Sequence, residues 1–277
     1  GYFDRSLALS RARWLLVGLL VAACSKPEPP HRTEPWLAQP SASASAGGSV
    51  VGGPVTFHFT PDSSIRFSLP GKKAKVSGRV AIAAGALRLD PRDLKTTSAN
   101  LDVDLTTLSI DPDSVPQSAP LADGNPTALG LQWLELGPDV APERRRELSL
   151  ARFELASVES ASAPGLDLSG GRTKSQGRSH VRATLSGTLL IHGFRAPIRT
   201  DVVLAPLEAT AGAPRRLSIR SQGALVLPLT PHDIGARGPS GIVDAVAMAR
   251  STEWVGKSSH IDFELVAEAD AERHPAK

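Results

Sequence analysis

Seven histidines are the side chains in this chain best suited to acid–base or metal chemistry: His31, His58, His180, His192, His232, His260 and His274. A helical metal site needs two ring nitrogens on one face, as in His-Glu-x-x-His, and no pair here has that spacing. His232 and Asp233 are adjacent, but adjacency alone does not orient a general base. His192 precedes Gly193 and reads as part of a turn, because glycine accepts positive φ. Serines are abundant, yet no Gly-x-Ser-x-Gly elbow is present to activate one. Gly170-Gly171, Gly235, Gly238 and Gly241 lack the strand-to-helix context of a phosphate-binding loop. The expectation is a protein that is not an enzyme, with no catalytic residue, no metal ligand and no cofactor.

Cys24 is the single cysteine, and its position carries more information than its thiol. Arg11 and Arg13 precede an apolar run from Trp14 to Ala23 that ends at this residue. A basic start, a short apolar stretch and small residues at the junction form the layout of a secretory signal. Ten apolar residues reach about 15 Å as a helix, about half the hydrocarbon core of a bilayer. Val21-Ala22-Ala23-Cys24 resembles the lipobox of bacterial lipoproteins. That resemblance implies cleavage before Cys24 and acylation of it, so that two or more fatty chains hold the protein at a membrane. The expected place is the bacterial envelope facing the periplasm, at the outer rather than the inner membrane.

Positioning elements follow from composition and periodicity. The net charge is +3 and the pI about 9.2, and the signal accounts for two of the three charges. With no basic patch interleaved with aromatics, nucleic acid is not an expected partner. Residues 24–54 are rich in Pro, Ser, Ala and Gly, a composition that cannot offset ordering entropy, and read as a tether. Trp36 is its one large aromatic.

From Val55 the apolar residues recur with period two. The runs are Phe57 and Phe59; Ile65 and Phe67; Val76 to Ile82; Leu87 and Leu89; and Leu101 to Leu105. After a gap come Phe153 and Leu155, Ala183 to Ile191, Ile198 to Leu204, Leu217 to Leu229 and Ile261 to Leu265. Each run predicts an antiparallel strand with one apolar and one polar face. Eight to ten such strands predict a sandwich or barrel. Asn125-Pro126 is a helix start, with Leu129, Gln132, Trp133 and Leu136 at helical spacing. Trp133 then either packs on the barrel with Leu129 and Leu136 as a lid or plug, or belongs to a lid that gates the barrel mouth and contacts ligand. Residues 139–150 form a second helical stretch. Its Arg144-Arg145-Arg146 is a solvated face or a contact for anionic headgroups. Residues 160–180 and 231–257 read as long loops.

The segment from Gly187 to Ile198, GTLLIHGFRAPI, resembles the YceI-like family, in which a glycine turn joins two strands. The opening PVTFHFTPDSSIRFSL, the following KVSGRVAIAAGALRLDPRDL and the closing Ile261 to Leu265 are similar to that family's first and last strands. The likeness covers about Pro54 to Glu268. It implies an all-β fold: an antiparallel lipocalin-like barrel of about eight strands with one or two short helices, in the periplasm, holding a long polyisoprenoid. The chain departs from the family at Glu143 to Leu148, where Arg-Asp-x-His-Leu is usual, and in an insertion around residues 111–141. The expected organisation is a signal at 1–23, the tether at 24–54, a barrel domain at 55–268 and a tail at 269–277. The expected function is binding of a long isoprenoid or similar apolar lipid, lined by Phe57, Phe59, Ile65, Phe67, Val80, Leu101, Leu105, Trp133 and Leu189. The alternative is a structural or protein-interaction lipoprotein with a filled barrel.

Overall fold

The structure, a computed structural model, describes residues 31–32, 53–117, 125–168, 180–207, 213–237, 241–244, 246–248 and 253–270. The signal, Cys24 and the tail beyond Asp270 lie outside the described residues. So does the tether, apart from 31–32 and 53–54.

The period-two runs form antiparallel strands joined mainly as a meander. They are β1 (His31–Arg32), β2 (Val55–Phe59), β3 (Ser64–Pro70), β4 (Lys75–Leu89), β5 (Ser98–Ile110), β6 (Leu150–Ala161), β7 (Val181–Ile191), β8 (Phe194–Pro206), β9 (Arg216–Ser221), β10 (Leu225–Pro228) and β11 (Ser258–Ala269). β4 to β9 pair in sequence order. The last strand, β11, pairs with β9 and β10 along one edge and with β2 and β3 along the other. β2 and β3 also both pair with β4. Each of these couples therefore fills one position of a closed ring, giving eight positions around the barrel.

Two sequence expectations change. The runs Val76–Ile82 and Leu87–Leu89 are not separate strands but one strand of 15 residues. Its register against β5 shifts between Ile82 and Ala84. One extra residue moves every following side chain to the other face, so even-numbered residues before the bulge and odd-numbered ones after it both point inward. β6 likewise continues past Leu155 to Ala161, through register shifts against β7. The tether also departs from a free linker, since β1 pairs with β8 as His31↔Arg195 and Arg32↔Phe194.

Two core clusters occupy the two ends of the barrel. One gathers Phe57, Leu89, Val202 and Leu217 with Leu94 and Leu166 beneath the connections at that end. The other gathers Val76, Ile110 and Ile191 under α1 (Pro126–Trp133), α2 (Pro142–Leu148) and the segment carrying Leu229, Ile234, Met248 and Val255. Asn125 caps α1, its side-chain oxygen accepting from Thr127 N at 3.0 Å and Ala128 N at 3.2 Å. The segment read as a loop at 231–257 therefore contributes buried residues to the core.

Candidate functional site

Of the nine residues expected to line a ligand, five lie on the wall between the two end clusters and four do not. Phe57, Ile65, Leu105 and Trp133 are fully buried within the end clusters. Phe59, Phe67, Val80, Leu101 and Leu189 also pack against the clusters but stay partly exposed. Ile82, Val103, Leu155, Leu185, Ile261 and Phe263 share that partial exposure and complete a belt contributed by strands around the ring. Val103 and Ile261 touch both clusters, which places the belt between them. Trp133 is buried in the helix-covered cluster, its ring centroid 6.3 Å from that of Trp254.

Polar chemistry collects at the helix-covered end. Glu135 follows α1, His192 lies in the β7–β8 turn, and Asp233 follows β10 and a short 3-10 turn at Thr230–His232. Among the described residues these are the three non-glycine positions with positive φ, at 54°, 52° and 56°. Such backbone costs a residue with a Cβ on the order of 1 kcal/mol or more, and surrounding contacts must hold it there. The His192 side chain is fully buried, with Nε2 3.3 Å from Glu135 Oε2 and Nδ1 4.0 Å from Asp233 Oδ2. Arg144 donates to Glu135 Oε2 at 2.9 Å. Arg237 lies 3.6 Å from Glu135 Oε2 and 3.3 Å from Asp233 Oδ2, and donates to the carbonyls of Asp233 at 2.7 Å and Gly241 at 2.8 Å.

Burial is the largest influence on His192 and holds its pKa below the ordinary value. The two carboxylates pull the other way, and both guanidinium groups reinforce the lowering. Burial by itself raises the Glu135 carboxyl, but the Arg144 hydrogen bond and the Arg237 charge outweigh it and leave the pKa lowered. The Glu135 and Asp233 carboxylates thus face two guanidinium groups around a ring whose charged form burial disfavours, and Arg144 also lies 3.6 Å from the Glu147 carboxylate. Glu135, His192 and Asp233 have donor atoms within 4.8 Å of one another, the reach of a metal site. A cation there would meet two guanidinium charges already bound to the oxygens it needs, so the set fits a closed ion network rather than a metal centre. Both His192 nitrogens, Trp133 Nε1 and Arg237 Nε are buried without a hydrogen-bond partner among the described residues.

His192 does occupy the turn that the sequence suggests, but its own φ is left-handed alongside that of Gly193. Its role in the network is not visible in the sequence. His232 is buried near this end, donating from Nδ1 to the Pro228 carbonyl at 2.6 Å, and burial lowers its pKa against that hydrogen bond. His232 and Asp233, adjacent in the chain, thus serve different contacts. Arg144 belongs to the network, whereas the sequence reading placed it on a solvated or headgroup-binding face.

No family model matches the chain, and no curated protein does. Among solved structures, the chain is similar to a polyisoprenoid-binding domain from Saccharophagus degradans implicated in plant cell wall breakdown. The TM-score is 0.47 at 15% identity, over 78% of this chain and 99% of that one. It is also similar to BcnA of Burkholderia cenocepacia, with a TM-score of 0.44 at 14% identity, over 74% and 95% of the two chains.

Proposed function

We propose that this protein is an envelope lipoprotein whose barrel holds one long, flexible, apolar lipid of the polyisoprenoid kind. The observation that supports this most is the belt of apolar side chains at inward positions of a closed ring, which pack on the end clusters yet are only partly buried. In a closed barrel such incomplete burial needs an internal space, and eight strands leave room for at most one small ligand. An apolar space is filled by apolar matter in preference to water. Its walls are aliphatic with a few phenyl rings, which suits a hydrocarbon chain better than a flat polar cofactor. The driving force is burial, at about 25 cal/mol per Å² of apolar surface. The likeness of the sequence to the YceI-like family motivates the isoprenoid class. The run ending at Cys24 motivates the anchor and the envelope location. The ligand is bound and carried rather than converted.

The test is mass spectrometry of organic extracts from the purified full chain, with Leu189→Lys as the paired variant. A stoichiometric long-chain lipid in the parent is expected. In the variant the lipid is lost with a modest fall in melting temperature, because a space that admits water lessens the cost of the charge. Extracts without lipid, together with a variant that fails to fold, would show a filled barrel and favour the structural lipoprotein. In cells, Cys24→Ala is expected to leave the membrane fraction or stay unprocessed, whereas a still-processed, lipid-labelled product rules out the anchor.

A further inference from the structure

The ring of strands closes, but its hydrogen-bonding does not. β8 pairs with β9 from Val202 to Pro206, and the Gln222 N–H still donates to the Asp201 carbonyl at 2.8 Å. Beyond that point β9 gives way to β10. The five steps from Arg220 to Leu225 are matched by only three on β11, from Glu264 to Ile261. Two residues are therefore extruded around Gln222–Gly223, and β10 rejoins β11 without a ladder to β8. If the β8–β9 register were continued, Val226 would lie opposite Pro197, and Pro228 opposite Arg195. Instead a crevice of about 400 Å³ lies between Pro197–Asp201 and Gln222–Val226. Pro197 and Pro228 lack an N–H, so each edge of this seam also loses a donor, as free strand edges commonly do. Val226 stands 53% exposed on its rim.

What closes the seam at its outer end is the charged network. His192 lies in the β7–β8 turn, two residues before the first residue of β8, and Asp233 follows β10 by a short 3-10 turn. The two edges meet there through Glu135, whose Oε2 lies 3.3 Å from His192 Nε2 and 3.6 Å from Arg237 beside Asp233, with Arg144 behind it and His192 Nδ1 4.0 Å from Asp233 Oδ2. Side chains thus stand in for backbone pairing there, held by three left-handed residues and leaving several buried donors unpaired. A junction of this kind opens at lower free energy than a strand ladder. Two backbone pairs from β1 cap the same edge of β8, at Phe194 and Arg195. Six residues lie between Cys24 and His31, so seven Cα–Cα steps join them. Since an extended chain spans at most about 3.5 Å per residue, an anchor at Cys24 would hold this edge within about 25 Å of the bilayer.

We propose that the β8–β10 seam is the lateral entrance through which lipid passes between the membrane and the barrel interior. The Glu135–His192–Asp233 cluster, with its two arginines, is the clasp that closes it. This rests on the lipid-binding reading above, and the experiment separates the two. Pro197→Cys with Val226→Cys in the full chain places a thiol on each rim, and a short bis-maleimide bridges them. Arg199→Cys with Ala224→Cys spans the same gap should the proline replacement not fold. A control bridge joins Glu154→Cys to Thr188→Cys, which already pair across β6 and β7. Uptake of dansyl-labelled farnesol from phosphatidylcholine vesicles is followed by fluorescence.

Bridging the seam is expected to slow uptake and release by about tenfold or more at unchanged final occupancy, as expected when an opening motion gates exchange. The control bridge is expected to leave both rates unchanged. Asp233→Asn, which loosens the clasp, is expected to speed both. Binding with rates indifferent to the seam bridge overturns the entrance and leaves the lipid reading standing. Faster exchange absent in Asp233→Asn overturns the clasp. A parent protein that takes up no probe overturns the lipid reading and the entrance together.

Discussion

Glu135, His192 and Asp233 each accept an unfavourable backbone conformation, and all three then meet in one place. Isolated strain of this sort would be relieved by small shifts. It persists here because each side chain is held in place: Glu135 by Arg144 on α2, Asp233 by Arg237 four residues further on, and His192 by burial. The neutral buried ring gives the network a pH signature. With its folded pKa below the ordinary value of about 6.5, His192 binds its proton less readily folded than unfolded. The contribution is complete above that value and is lost as pH falls through it toward the folded pKa. His232 acts in the same direction. Melting temperature is therefore expected to drop as pH falls below about 6.5, and His192→Gln is expected to flatten part of that slope. A slope unchanged in the variant would show that the ring is not the group being titrated.

At the scale of elements, glycine allows rings to cross the sheet. A Cβ on Gly78 would overlap the ring of Phe67, its direct partner across β3 and β4. One on Gly187 would overlap the Phe153 ring and the Glu154 carbonyl, and one on Gly85 would come within 2.7 Å of Phe59 Cδ2. In each case the bare glycine lets a phenyl ring lie over the neighbouring strand. Gly223, in the extruded segment of the seam, has nothing within 4 Å of the same position. Gly78→Ala and Gly187→Ala are accordingly expected to lower unfolding free energy by about 1–3 kcal/mol, as overpacking does. Gly223→Ala is expected to be neutral or stabilising by up to about 1 kcal/mol, since it restricts the unfolded chain at no steric cost. Urea melts of the three variants test the contrast. Equal losses at all three sites would mean that the rings can move aside.

For the molecule as a whole, closure depends on its last strand. β11 pairs with four other strands, and its contacts span most of the chain: Thr60 Oγ1 donates to the Val266 carbonyl across 206 residues. Such pairings cost loop-closure entropy before they return any burial, and they slow folding. A chain ending before Ser258 leaves β3 and β9 each with one edge unpaired and exposes Phe57, Leu217 and the rest of that end cluster. It is expected to show no cooperative unfolding transition by circular dichroism and to bind a hydrophobic dye. A sharp transition retained without β11 would mean that the meander is stable as an open sheet.

Alternation of apolar and polar residues was enough to identify the strands, because the side-chain period of two is a local property of extended chain. The helix start at Asn125-Pro126 was equally legible, since a cap and a proline act within one turn. Inward positions such as Phe59, Val80 and Leu189 could be named from parity alone. The joining of Val76–Ile82 to Leu87–Leu89 could not, because a bulge reverses parity where the sequence simply stops alternating. The clasp was hidden for a different reason. Glu135, His192 and Asp233 lie 57 and 41 residues apart and match no spacing rule. Their neighbourhood, their burial and the shifted pKa of His192 exist only once β11 closes the ring and brings the ends of α1, β7 and β10 to one place. The seam belongs to the same class, since a missing ladder is a relation between strands and leaves no mark on either one.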